Sequence, residues 1–202
     1  MIAIITGDIV NSEDYVSSEW LEVLKKSFSK WGETPSDWEV YRGDEFQLRV
    51  SVAHALEVAI TIKALMKTFK ELDVRIGIGL GDETFVGASV SESNGSAYQR
   101  SGRTFESLKT QKRNLAIATG NPAYDRTFKL VLGLALDFMD DWSIVSAEIV
   151  ALALERPEAS QMEIAGLLDI QQSAVSQRQK RARLDLVLEL LEYYRTTVKE
   201  LM

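Results

Sequence analysis

Two aspartates stand where acidic side chains could do chemistry. Asp8 follows the apolar run of residues 2–5, and Asp44 lies in Tyr41-Arg42-Gly43-Asp44-Glu45-Phe46, between two segments of alternating polarity. Carboxylates brought together without a basic partner are costly unless a cation compensates them. Mg²⁺ suits such a pair, because it takes one or two carboxylates and completes its octahedron with water and substrate phosphates. Two such ions position a triphosphate for in-line displacement. Each residue also has a plainer reading. Gly43-Asp44 is a hairpin signal, and an aspartate after a strand commonly caps the next turn.

The elements that must position these residues are legible as periodicities. Residues 2–5 read as a buried strand that delivers Asp8 at its end. Trp20, Leu21, Leu24, Phe28 and Trp31 recur at helical spacing, and so do Ala55, Ala59, Ile62, Met66 and Phe69. Residues 38–41 and 46–50 alternate as two strands, 73–80 as another and 115–118 as a last one, with the second half of 94–112 helical. The order β-α-β-β-α-β, followed by a further helix and strand, is that of a ferredoxin-like domain. Asn121-Pro122 supplies a cap and a first helical position, so a helix starts there and runs toward Asp140. Beyond it everything reads as helix. The expected fold is therefore α+β: a ferredoxin-like domain over 1–120 and an all-α helix-turn-helix domain over 121–202.

A second cluster of chemistry lies in that helical part. Residues 1–159 hold 17 Lys+Arg against 24 Asp+Glu, whereas 160–202 hold 6 of each, so the formal charge of −7 sits upstream. Within 171–183 the positive Arg178, Lys180, Arg181 and Arg183 meet no acid, which points to a local anionic partner. Ser160 and Glu163 form a capping-box pattern, and Ile164, Ala165 and Leu168 an apolar face. Asp169-Ile170 makes a turn, and Val175 and Ala182 anchor a following helix. This resembles a helix-turn-helix over about 160–183, with its recognition helix in IQQSAVSQRQKRAR and residues 145–154 completing three helices. Gln171, Gln172, Ser173, Ser176, Gln177, Arg178, Lys180 and Arg181 are the candidate DNA contacts, since such side chains donate to base edges and phosphates. The alternative is a solvated helix in an all-helical cap, and Arg178 and Gln179 stand where a packing residue is often found. The amphipathic stretch from Leu184 packs on its own protein or forms a dimer seam. Helix-turn-helix proteins usually bind as dimers, which favours a homodimer.

The N-terminal segments carry a resemblance. GDIVNS is similar to the metal-binding first strand of the nucleotide cyclase superfamily (class III and diguanylate cyclases), and RGDEF to its hairpin. DVRIGIGLG followed by NGSAYQRSGR looks like a later strand and helix of the same palm, so the likeness spans residues 1–118. It implies Asp8 and Asp44 as Mg²⁺ ligands, with Arg100 and Arg103 toward the phosphates of a nucleotide. Arg42 stands where diguanylate cyclases have a second glycine, which argues against that activity. With TGDIVNS, RGDEFQ and SGR followed by SAVSQRQKRAR, the whole chain resembles the SatD family of bacterial proteins. The expected function is a DNA-binding regulatory protein with a nucleotide- and Mg²⁺-binding cyclase-like domain. The alternative is a Mg²⁺-dependent nucleotidyl cyclase or related phosphoryl-transfer enzyme using Asp8 and Asp44.

Composition bounds the rest. At 46% hydrophobic and 26% charged residues, the chain can build a core. It has no cysteine, which excludes disulfides and thiolate metal sites and fits a reducing cytoplasm. Its one histidine, His54, excludes a histidine-rich metal centre and reads as a surface residue. No apolar run is long enough for a membrane span, and the N-terminus does not resemble a signal peptide, so a cytoplasmic location is expected. The alternating glycines of Gly77, Gly79 and Gly81 fit no phosphate-loop spacing and read as room for a helix or partner chain. The four tryptophans read as core.

Overall fold

In the computed structural model, residues 1–201 are described, Asp14 and Ser17 by their backbone alone. Strands β1 (Ile2–Val10), β2 (Trp38–Tyr41), β3 (Glu45–Val50), β4 (Asp73–Gly81) and β5 (Leu115–Ala118) form one sheet in the order β2-β3-β1-β4-β5. β1 is antiparallel to both β3 and β4, and β5 runs parallel to β4. Helices α1 (Ser17–Phe28), α2 (Ala55–Met66) and α3 (Ser96–Gln111) connect the strands. Five more follow: α4 (Pro122–Met139), α5 (Ile144–Glu155), α6 (Gln161–Leu168), α7 (Gln172–Ala182) and α8 (Leu184–Lys199). The chain is a mixed α+β protein.

β1 is central, which explains why its apolar run does not alternate: residues 3–9 are all buried. The register puts Ala3, Ile5 and Ile9 on one face with Leu48, Val50, Val74, Ile78 and Leu80. That face packs on Trp20, Leu24 and Phe28 of α1 and on the apolar side of α2. The opposite face carries Thr6, Asp8, Gln47 and Arg75, and it is covered by α3. There the glycines of β4 allow helix and strand backbones to touch. A Cβ at Gly77 would lie 2.5 Å from the Phe105 nitrogen, and one at Gly79 would overlap the backbone of Ala97 and Ser101. The helix reading of these glycines holds, and α3 begins at Ser96, earlier than the periodicity implied. Its polar first turns owe their conformation to this contact, which no local pattern records.

The turn between β2 and β3 spans Arg42, Gly43 and Asp44, with φ 51° at Arg42 and 90° at Gly43. Two left-handed residues in succession match the twist of a hairpin. Arg42 therefore occupies a conformation that glycine adopts without steric cost.

α4 starts as its cap dictates: the Asn121 side chain accepts from the Ala123 amide at 3.0 Å, with Pro122 at the first position. The Ser160–Glu163 capping box opens α6. One hydrophobic core extends from the sheet through α2, α4 and α5 to α8. The apolar side of α8, with Val187, Leu191, Tyr194 and Val198, is buried inside the protein, so this stripe packs on its own chain rather than forming a seam. Trp20, Trp38 and Trp142 are core residues, Trp31 is half-buried, and His54 is exposed. No helix of the described residues is long and apolar enough to cross a membrane.

Candidate nucleic-acid interface and the paired aspartates

α5, α6 and α7 pack on one another through Ala147, Val150, Ile164, Ala165, Val175 and Ala182, all buried. α6 ends at Asp169, which takes the left-handed conformation (φ 50°), and Ile170 N–H closes onto Ala165 O at 3.1 Å. This tight stop is what turns the chain into α7 within three residues. Gln171 is the N-cap of α7.

Val175 and Ala182 fix which side of α7 faces inward. Gln171, Gln172, Ser173, Ser176, Gln177, Lys180 and Arg181 are consequently exposed. Ser173, Ser176, Gln177 and Lys180 follow one another at helical spacing along a single stripe. Neither Lys180 nor Arg181 has an ion-pair partner among the described residues. Arg178 departs from the expected contact set. It is half-buried and donates to Glu148 of α5 at 3.2 Å, so it braces the helices instead of facing outward. Gln179 accepts from Gln161 of α6 at 2.7 Å, and Gln172 donates to the same Gln161. The polar residues that stand at a packing position are thus matched by polar partners on the neighbouring helices.

The two aspartates sit on neighbouring chain segments. Asp8 is opposite Glu45 in the β1–β3 register, and Ile9 N–H donates to Asp44 O at 3.2 Å. Their carboxylates nevertheless have separate partners. Arg75, opposite Asp8 on β4, forms a two-pronged pair with it, Nε to Oδ1 at 2.9 Å and Nη2 to Oδ2 at 2.6 Å. Lys109 of α3 adds a second cation 4.0 Å from Oδ2. Asp44 accepts from Ser12 Oγ at 3.0 Å. Beside the turn, burial and the nearby Glu45 hold the Tyr41 phenol above its ordinary range, so it stays a neutral donor.

In this arrangement a guanidinium compensates Asp8, and Asp44 is met by a hydroxyl donor. As arranged, the donors do not fit Mg²⁺, because both Asp8 oxygens are engaged by Arg75. No group of three or more His, Cys, Asp or Glu side chains suited to a metal occurs among the described residues. The two arginines of α3 also diverge. Arg100 donates to Leu80 O at 2.5 Å and lies over Gly120, a structural role, whereas Arg103 is exposed. Arg75 is the residue that the sequence reading missed. Its signal was a lone basic residue interrupting an otherwise apolar strand.

Comparison with curated proteins and with solved structures returns no match. The SatD family model matches residues 1–201, and the chain belongs to the SatD family.

Proposed function

We propose that this chain is a DNA-binding regulatory protein, in which a helix-turn-helix unit (about 160–183, with α5) reads duplex DNA. The observation that carries this reading is the outer stripe of α7. It is polar and basic, free of acids, and held rigidly by Val175 and Ala182 against two bracing helices. An eight-residue α6, a left-handed stop at Asp169 and a longer α7 are the dimensions of a helix that enters a major groove. Gln171, Gln172, Ser173, Ser176 and Gln177 would then approach base edges, and Lys180 and Arg181 the phosphates. Residues 1–120 are read as a ferredoxin-like, cyclase-like palm that binds a nucleotide and biases the helical part. In favour are the order β2-β3-β1-β4 with antiparallel neighbours and α1 and α2 on one face.

The test is fluorescence anisotropy at low salt with a duplex from the region upstream of the protein's own coding sequence, and a scrambled duplex as control. The upstream duplex is expected to bind more tightly, with affinity falling steeply as salt rises. Lys180→Ala and Arg181→Ala should weaken both duplexes alike, each lowering the salt slope by about 1. Gln177→Ala should reduce the preference for the upstream duplex. No complex at low salt sinks the proposal.

A second reading is a Mg²⁺-dependent nucleotidyl cyclase or related phosphoryl-transfer enzyme. It is favoured by the adjacency of the segments bearing Asp8 and Asp44, and by the exposed Arg103 on the helix that covers the same sheet face. In this reading an incoming nucleotide must draw Arg75 away from Asp8 before a metal can bind. Mg²⁺ alone should then leave the melting temperature unchanged, while a nucleoside triphosphate with Mg²⁺ raises it. Saturating ligand at about 100 times its dissociation constant adds roughly 2.7 kcal/mol. Pyrophosphate release that disappears in Asp44→Asn would establish turnover, and its absence with every nucleoside triphosphate would reject it.

A further inference from the structure

The outward side of α4 is sorted by charge and polarity along its length. Arg126, Leu130, Leu134 and Asp137 fall at helical spacing on one exposed stripe, with Lys129 beside the first and Asp141 just past the helix end. Leu130 and Leu134 are 64% and 68% exposed. The stripe therefore reads cation, apolar, apolar, anion. None of Arg126, Lys129 or Asp137 has an ion-pair partner among the described residues. Next to it, Leu134, Val131 and Phe138 of α4 face Leu186, Leu190 and Tyr193 of α8 across an apolar groove of about 550 Å³. Leu186 and Tyr193 are 41% and 43% exposed on its rim.

We infer that this face is the interface between two copies of the chain, with α4 packed antiparallel against α4 of the second copy. The charge pattern selects that occupant. A two-fold axis level with Leu132 sets Leu130 against Leu134 of the other chain. It also brings Arg126 to within one residue, about 1.5 Å along the axis, of the other chain's Asp137, and the same contacts repeat on the far side of the axis. An isologous interface must be self-complementary in this way. Arg126 and Asp137 lie about 16 Å apart along the helix, so in a parallel pairing the same charges would meet in like pairs. The groove beside α4 receives the leucines, which removes exposed apolar surface from water on both chains. A foreign partner would call for no internal symmetry in the stripe. The inference assigns to α4 the seam that the amphipathic α8 was expected to supply. It stands apart from the DNA-binding reading.

The experiment is sedimentation velocity on the full chain over a wide concentration range. The expected species at high concentration is twice the 22.6 kDa chain mass. Leu134→Glu is expected to give a monomer with unaltered circular dichroism and a melting temperature that no longer depends on concentration, since the residue is exposed in the single chain. Arg126→Asp and Asp137→Arg should each weaken association roughly tenfold, and the double reversal should restore it. A wild type that stays monomeric overturns the inference, as does a dimer indifferent to Leu134→Glu or a double reversal without rescue.

Discussion

At the residue scale the informative pair is Asp8 and Arg75. A carboxylate buried within a central strand needs compensation, and here a fork of two charge-assisted hydrogen bonds supplies it. The pair is worth less as net stability than its short distances suggest, because both ions were better hydrated in the unfolded chain. Removing only one partner is a different matter. Arg75→Met leaves Asp8 buried with no charge partner except the distant and mostly solvated Lys109. The expected loss is about 3 kcal/mol, the lower end for a broken buried pair, since the Arg75 side chain is 22% exposed. Adding Asp8→Asn to Arg75→Met should recover part of that loss in urea denaturation. A double variant as unstable as Arg75→Met alone would show that Arg75 acts through packing. Asp8 could be found from the sequence because it follows an apolar run, which is a local fact. Arg75 could not, because its meaning depends on the register between β1 and β4.

Elements differ in how far their own residues explain them. α4 and α6 begin where Asn121-Pro122 and Ser160 place them, since a cap is decided within three residues. α3 is the opposite case: its start at Ser96 depends on the glycines of β4, far away in the chain. Gly79→Ala should accordingly cost at least about 2 kcal/mol, through overlap with helix backbone that cannot move aside as a side chain would. Gly102→Ala, on the same helix with open space around it, should be neutral or slightly stabilising in the same melting experiment. Equal effects of the two would sink this account of the contact. The α6 cap carries a pH signature as well. The backbone N–H and hydroxyl of Ser160 hold the Glu163 carboxyl below its ordinary 4.5. A lowered folded value means that the contribution is present above the ordinary value and fades as pH falls through the folded one. The stability gap between wild type and Glu163→Gln should be largest near neutrality and vanish in acid. A gap independent of pH would mean that the carboxylate charge takes no part in the cap.

At the scale of the whole molecule, sheet and helices are joined by buried polar contacts as well as by the shared core. Lys63 of α2 is 1% exposed, and its ammonium lies 2.6 Å from Asp73 of β4 and 2.6 Å from Asp140 at the end of α4. The contact to Asp140 is an ion pair whose alignment falls short of a hydrogen bond, while Lys67 donates to the Asp140 carbonyl at 2.6 Å. Further on, Trp142 Nε1 donates to Ala182 O at the end of α7, and the Tyr194 hydroxyl donates to Val52 O beside α2. The joints are invisible in composition or period, because each pairs residues that are unremarkable in their own segments. Lys63→Met would leave Asp140 without its cation and Asp73 with only Lys67, 3.4 Å away, at a cost of about 3 kcal/mol, the lower end for a broken buried pair. Against a total of about 5–15 kcal/mol for an ordinary domain, that is a large share. Because Lys63 touches β4 and α4 alike, hydrogen exchange in Lys63→Met should quicken together in β1, β4, α4 and α5. Faster exchange confined to the sheet, with the helices after residue 121 unchanged, would mean that the two parts fold independently. In that event a nucleotide bound at the sheet would have no mechanical route through this joint to α7.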